Sequence, residues 1–454
     1  MENNDPKLVE LVILPMKTFG EAEVERLANS IASGNNTHLQ SISASGHSIP
    51  PSGLAQLGNA LASQSGSRIC HMGIGDENMK DEGVESLCLP LVAVNGASLE
   101  SLDLAFKGVS AVGAGMVGRA FGKSKNIRQL DLYRNPGIGN EGMIAFSEAA
   151  IDNDGKDVSF EALQHLDISE CDVGAEGMKA LVNCLTTGGG DSRRSSLLAL
   201  QASSNPFGAE GCSHLKDLIP RLKSVSLKKC SIGDDGIIFL VEAFETSGRG
   251  FGVLDVAGNG IGMKGVSALA EALAKHQYKM GLTELNLADN SIGDDGVVLL
   301  AKALKQNVDN DNAKIQVLDL SSTKCGINGA VELLKCPSLK SIRLFNNNLA
   351  SEGFEAITPL LEGGHATLEH LDLGGNRAKE SAVAGLLRAI MVKNEPDDSA
   401  LRTIELGGNE VGEEVEEILK EMMIVRPELD IARDRPSVAQ PNEPNDVQEG
   451  EMTI

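Results

Sequence analysis

Several groups of residues in this chain have the types and spacing that chemistry would need. His165, Asp167 and Ser169 alternate along one extended stretch and supply the residue types of a hydrolytic triad. A triad needs its histidine between acid and serine, and here the acid is in the middle. Alternate strand residues stand about 6.6 Å apart, which puts His165 roughly 13 Å from Ser169 along the backbone. That spacing excludes nucleophilic catalysis. Gly260, Gly262 and Gly265 spell a dinucleotide-binding fingerprint, but they are also the turn of a unit that recurs throughout the chain. Phe121-Gly122-Lys123-Ser124 resembles the end of a phosphate loop, yet Val117 stands where its first glycine is required. His71, His165 and His370 would face one way from strands about 14 Å apart at the nearest, too far to share a metal. No cofactor and no metal site is expected.

What remains is a column of outward-facing strand residues. It reads Val12, Ser43, Gly73, Asp103, Asp131, Asp167, Gln201, Ser226, Asp255, Asn286, Asp319, Arg343, Asp372 and Glu405. Asp103, Asp131 and Asp167 are consecutive in it. Carboxylates about 5 Å apart on adjacent strands repel by roughly 0.8 kcal/mol in water and about 3 kcal/mol at intermediate dielectric. Lysine or arginine from a partner would relieve that repulsion. Aspartate is also a common residue of the repeat at this position, so the column has a purely structural reading too. Phe106, Tyr133 and Phe345 flank it in a chain that is only 3% aromatic, and such residues anchor interfaces. Lys228, with Lys223 and Lys229, interrupts the acidic row near its middle. The candidate contact residues on this face are Asp103, Phe106, Asp131, Tyr133, Asp167, Lys228, Asp255, Asp319, Arg343, Phe345, Asp372 and Glu405.

These residues are positioned by a repeated unit, seen most clearly from Leu282 to Leu304. Leu285 and Leu287 keep the two-residue period of a strand. Val297, Leu300, Ala301 and Leu304 then keep the spacing of one helix face. The leading apolar residue recurs from Leu39 to Leu401 at intervals of roughly thirty residues, giving about fourteen units with a degenerate copy at Leu8. Asn135, Asn205, Asn259, Asn290, Asn347, Asn376 and Asn409 form a turn column, with Cys171, Cys230 and Thr323 standing in elsewhere. His47, Glu77 and Lys107 replace asparagine in the early units, where looser turns are expected. A glycine column that includes Gly265, Gly296 and Gly329 opens the helices.

Units of the form LxxLxLxxNxIGxxGxxxLAxAL resemble the ribonuclease-inhibitor-like class of leucine-rich-repeat proteins, over residues 8 to about 424. The resemblance implies an α/β solenoid, a horseshoe with a parallel concave sheet and outer helices. It does not imply one function. The chain is also similar to Ran GTPase-activating proteins, most closely in its last unit, LRTIELGGNEVGEEVEEI. The extended early-repeat loop that carries that family's functional arginine is not found, so no such residue is assigned.

A solenoid grows by adding units, so 454 residues here imply one domain and not several. Residues 1–38 are expected as an N-terminal capping repeat, 39–424 as the repeats and 425–454 as a disordered tail. Insertions at 150–162, 186–196 and 305–314 should share one rim. The charge of −24 repels phosphate, which argues against nucleic acid and anionic membrane as partners and favours a basic protein surface. No apolar run is long enough for a membrane helix. The eight cysteines follow no disulfide framework, and MENNDPKLVE shows no signal region, so a cytoplasmic or nuclear setting is expected. The expected function is non-enzymatic: a monomeric scaffold holding a protein partner on its concave face. Activation of a small GTPase and ribonuclease-inhibitor-like inhibition are the alternatives.

Overall fold

The computed structural model describes residues 5–34, 37–63, 68–151, 159–186, 196–247, 252–275, 281–306, 315–392 and 399–433. Its strands are β1 (Glu10–Val12), β2 (Ser41–Ser45), β3 (His71–Gly75), β4 (Ser101–Asp103) and β5 (Gln129–Asp131). They continue as β6 (His165–Asp167), β7 (Ala199–Gln201), β8 (Ser224–Ser226), β9 (Val253–Asp255) and β10 (Glu284–Asn286). The last are β11 (Val317–Asp319), β12 (Ser341–Arg343), β13 (His370–Asp372), β14 (Thr403–Glu405) and β15 (Asp430–Ala432). All lie in one sheet in sequence order and pair in parallel. A helix follows each of the first fourteen and returns the chain to the next. This is the α/β leucine-rich-repeat solenoid that the period implies.

From β4 to β14 each strand buries its middle residue and the residue after its end. In β10 these are Leu285 and Leu287, 1% and 0% exposed, and they meet Val297, Leu300 and Ala301 of the following helix. The layer between sheet and helices is thin, so aliphatic side chains fill it. A few phenylalanines join them, among them Phe121, Phe354 and the stacked pair Phe146 and Phe160, 4.7 Å apart.

The turn asparagines join successive units. Asn135 accepts from the backbone N–H groups of Lys107 and Val109 in the unit before, at 3.1 and 3.0 Å, and donates to Leu104 and Leu132 carbonyls. Asn205, Asn259, Asn290, Asn347 and Asn376 repeat this bonding. Cys171 and Cys230 hold the column with the thiol alone, each donating to a carbonyl of the preceding unit. Burial pushes the Cys171 thiol up to about 12, so it remains a donor. The early turns are tighter than expected at two places. His47 is 5% exposed, its Nε2 bonded to the Ile13 carbonyl, and Lys107 is 4% exposed.

A second connection runs the other way. Asp234, at the start of one helix, accepts from the backbone N–H groups of Gly262 and Gly265 at the start of the next helix. Asp81, Asn140 and Asp294 do the same for the helices that follow theirs. The helix start is therefore capped by the previous unit. This accounts for Gly113, Gly177, Gly265 and Gly329, since a Cβ at Gly265 would lie 2.6 Å from Asp234 Oδ1. At Gly211, Gly236, Gly296 and Gly353 the Cβ would instead meet the apolar side chain four residues earlier.

Ordered structure continues past the expected end of the repeats. The helix Glu413–Val425 is followed by β15, which extends the sheet beyond residue 425. Arg426, 3% exposed, ties this end down by donating to the carbonyls of Gly363 and Val392. The tail from 434, and most of each rim insertion, lie outside the described residues.

Candidate concave-face binding site

The outward column is in strict register: Asp103 pairs with Asp131 and Asp131 with Asp167 across β4, β5 and β6. The same ladder carries Asp255, Asn286, Asp319, Arg343, Asp372 and Glu405. All the proposed acids thus line one face. They do not share one environment.

Each aspartate has a structural task that the sequence pattern hid. Oδ1 of Asp103, Asp131 and Asp167 accepts from the backbone N–H two residues on, at 2.8, 2.9 and 2.8 Å. Asp255, Asp319 and Asp372 close the same turn, and so does Asn286 through its amide oxygen. The turn therefore needs an acceptor and not a charge. The signal was readable, because Asn286 occupies the column in the best-formed unit.

The second carboxylate oxygen separates the acids. Asp255 lies 4.0 Å from Lys228 Nζ, and Asp319 lies 3.6 Å from Arg343. Glu405 lies 3.4 Å from His370 Nε2, and burial lowers the His370 pKa. Asp372 is only 3% exposed, so it is part of the packing and not an open contact as expected. Among the described residues Asp103, Asp131 and Asp167 form no ion pair. Burial pushes the Asp131 carboxyl up to about 6, and Asp167 and Asp103 add to the rise. Asp167 is raised as well, first by burial. Lys107 lies close enough to Asp103 and Asp131 to offset part of this, while burial lowers its own pKa.

Beside this trio lies a connected aromatic edge. Phe106 is 43% exposed and holds φ +56°, a conformation bulky side chains rarely adopt. The Arg134 guanidinium sits 5.0 Å over its ring and 3.7 Å from Glu170, which accepts from the Tyr133 hydroxyl at 3.1 Å. Arg134 and Glu170 were not among the expected contacts, since only their turn position links them to Phe106. Phe345, half-buried, lies far along the sheet on β12's turn, next to Gly374 and Gly375. The expected contacts therefore fall into two groups. Asp103, Phe106, Asp131, Tyr133 and Asp167 form one open cluster, and the later residues are largely neutralised by one another.

The tempting motifs acquire plain roles. The amides of Gly262 and Gly265, which a phosphate would need, are already bonded to the Asp234 carboxylate. Ser169 is 6% exposed, and its hydroxyl accepts from the Ser203 N–H. Among the described residues no histidine, cysteine and carboxylate cluster has metal-binding geometry, and no helix is long and apolar enough to cross a membrane.

A stacked parallel sheet with capped outer helices and a shaped concave face defines a repeat protein built to hold other proteins. A family model described as leucine-rich repeat matches residues 123–147, 162–182, 253–270, 280–301 and 335–357. The chain is a leucine-rich-repeat solenoid by its fold, and these matches make it similar to the ribonuclease-inhibitor-like class. It is similar to the ribonuclease inhibitor of Mus musculus, 28% identical over 266 residues, which cover 58% of this chain and 54% of that protein. It is also similar to RAN GTPase-activating protein 2 of Arabidopsis thaliana, 29% identical over 119 residues, 25% of this chain and 21% of that one. The chain thus spans about half or less of the length of these relatives. Among solved structures, a chain of the yeast Rad7 and Elc1 complex aligns at 16% identity and TM-score 0.44, covering 90% of this chain and 92% of that one. An internalin of Listeria monocytogenes aligns at 17% and 0.46, covering 84% and 85%.

Proposed function

We propose that this leucine-rich-repeat scaffold holds a basic protein surface on its concave face, at the edge formed by β4, β5 and β6, without itself catalysing a reaction. The observation that carries the reading is the trio Asp103, Asp131 and Asp167, in register and without an ion pair, beside the preformed Phe106–Arg134–Glu170–Tyr133 edge. Three partly buried carboxylates that Lys107 offsets only in part raise the free energy of the unbound protein, and lysine or arginine side chains from a partner remove the rest of that cost. Phe106 and Tyr133 supply the rigid apolar anchors that charge alone lacks. The scaffold acts as a monomer in this reading.

The test is the triple variant Asp103→Asn, Asp131→Asn and Asp167→Asn, assayed against a partner captured by the unmodified chain. Asn286 shows that asparagine keeps the turn, so shape is preserved. Association should slow about tenfold and its salt dependence flatten, with dissociation changed less. Retention of the partner with an unchanged salt slope would mean that the trio serves the turns alone. The likeness to the Arabidopsis protein supports a second reading, in which the basic partner is a small GTPase whose hydrolysis is accelerated. A GTP hydrolysis assay separates the two, because simple binding leaves the hydrolysis rate unchanged.

A further inference from the structure

The first fourteen strands each give one edge to the strand that follows, and among the described residues β15 is the last strand of the sheet. Its Asp430 N–H bonds the Arg402 carbonyl, and its Ala432 carbonyl accepts from Leu406 N–H, so both residues face β14. By the alternation of a parallel ladder, the N–H and C=O of Ile431 point outward along the open edge. Beside that edge lies a cavity of about 420 Å³ lined by apolar Leu419, Met422, Met423, Leu429 and Ile431, with Pro427, Glu428, Asp430 and Arg433 completing its wall. Met423 and Ile424 beside it are 76% and 82% exposed. The strand is short and carries Asp430, which limits general edge pairing, but the apolar side chains beside it are uncovered among the described residues.

The charges around this end indicate what covers it. Glu417, Glu421, Glu428 and Asp430 are exposed there. Arg433 is paired with Glu416 and Arg426 with Glu428, and Lys420 is exposed on the same helix, so the rim stays acidic through Glu417, Glu421 and Asp430. A second copy would bring like charge against like charge on a chain of −24. We infer that the β15 edge takes an extended segment of a partner protein in which basic and apolar residues alternate. The segment would add a sixteenth parallel strand. Its apolar residue would sit beside Ile431 over the cavity, and the preceding basic residue would lie opposite Asp430 on the concave face. This site is separate from the acidic trio on β4 to β6 and does not depend on it.

The probe is a fluorescein-labelled nonapeptide of alternating lysine and valine, titrated by anisotropy into the whole chain. Binding is expected to weaken at least fivefold with Asp430→Lys, with Met423→Lys, and with a peptide N-methylated at its central amides, which cannot join a sheet. A matched peptide with glutamate for lysine should not bind. The asparagine triple variant of the concave trio should bind as well as the unmodified chain. Both single substitutions are at exposed side chains, and a matching thermal melt confirms that each variant is folded. Equal binding by the N-methylated peptide, or by the Asp430→Lys and Met423→Lys variants, would overturn the inference. So would a chain that binds the probe only after residues 434–454 are removed, since its own terminal segment would then be the occupant.

Discussion

Asp131 shows how one side chain can serve the fold and burden it together. Its Oδ1 closes a turn, while burial and two like-charged neighbours hold its carboxyl at about 6 against an ordinary 3.8. The folded state therefore binds the proton more tightly than the unfolded chain does. The favourable contribution of this group is complete below about pH 4 and is lost as pH rises through 6. Asp131→Asn keeps the acceptor and removes the charge. It should stabilise the protein by on the order of 1–3 kcal/mol above pH 6 and change little near pH 4. Urea melts at the two pH values measure this, and equal gains at both would show that the charge is well solvated. The column was legible in the sequence down to its register, because alternation fixes which residues face outward. Its division into paired and unpaired acids was only partly so: Arg343 follows Asp319 in the column and is its register partner, whereas Lys228 reaches Asp255 from a turn position that the column does not include. Asp372 was misjudged for a related reason: its burial follows from packing around it, to which its place in the column gives no clue.

At the scale of the element, the helices owe their starts to their neighbours. Serine or aspartate directly before a helix is the sequence sign of a cap, and most of these helices begin after glycine or an apolar residue instead. The cap is supplied about thirty residues earlier in the chain, a distance at which local sequence rules say nothing. Asp294→Ala should therefore cost about 1 kcal/mol, and the damage should appear in the following unit. Hydrogen exchange is expected to speed up at Gly326 and Gly329 while the interior of the helix Gly293–Gln306 keeps its protection. Faster exchange confined to Asp294's own helix would contradict inter-unit capping. The helices themselves were readable throughout, since their apolar stripes repeat at constant spacing.

For the whole molecule, the core is a series of thin layers that are each stable only against the next. Leu285→Asp places an unpaired carboxylate at a site 1% exposed and should cost more than about 4 kcal/mol. Loss should spread from β10 to the units on either side, since no layer keeps its apolar faces covered alone. A thermal melt unchanged by this substitution would refute the register of the entire sheet. The length of the solenoid was nearly right from the sequence. It fell short at the last strand, because the sequence after Ala432 carries neither the turn asparagine nor the apolar stripe that would mark a repeat.

The two kinds of connection between units also set an order in time. A turn asparagine reaches back to the unit already made, whereas Asp81, Asn140, Asp234 and Asp294 reach forward to one still to come. As the chain leaves the ribosome, the four helices that follow these residues meet a cap that is already in place, while a turn closed by the next unit's asparagine stays open until that asparagine arrives. Growth from the amino-terminal end is thus templated at these four places, where a nascent chain halted midway already holds the cap for a helix not yet made.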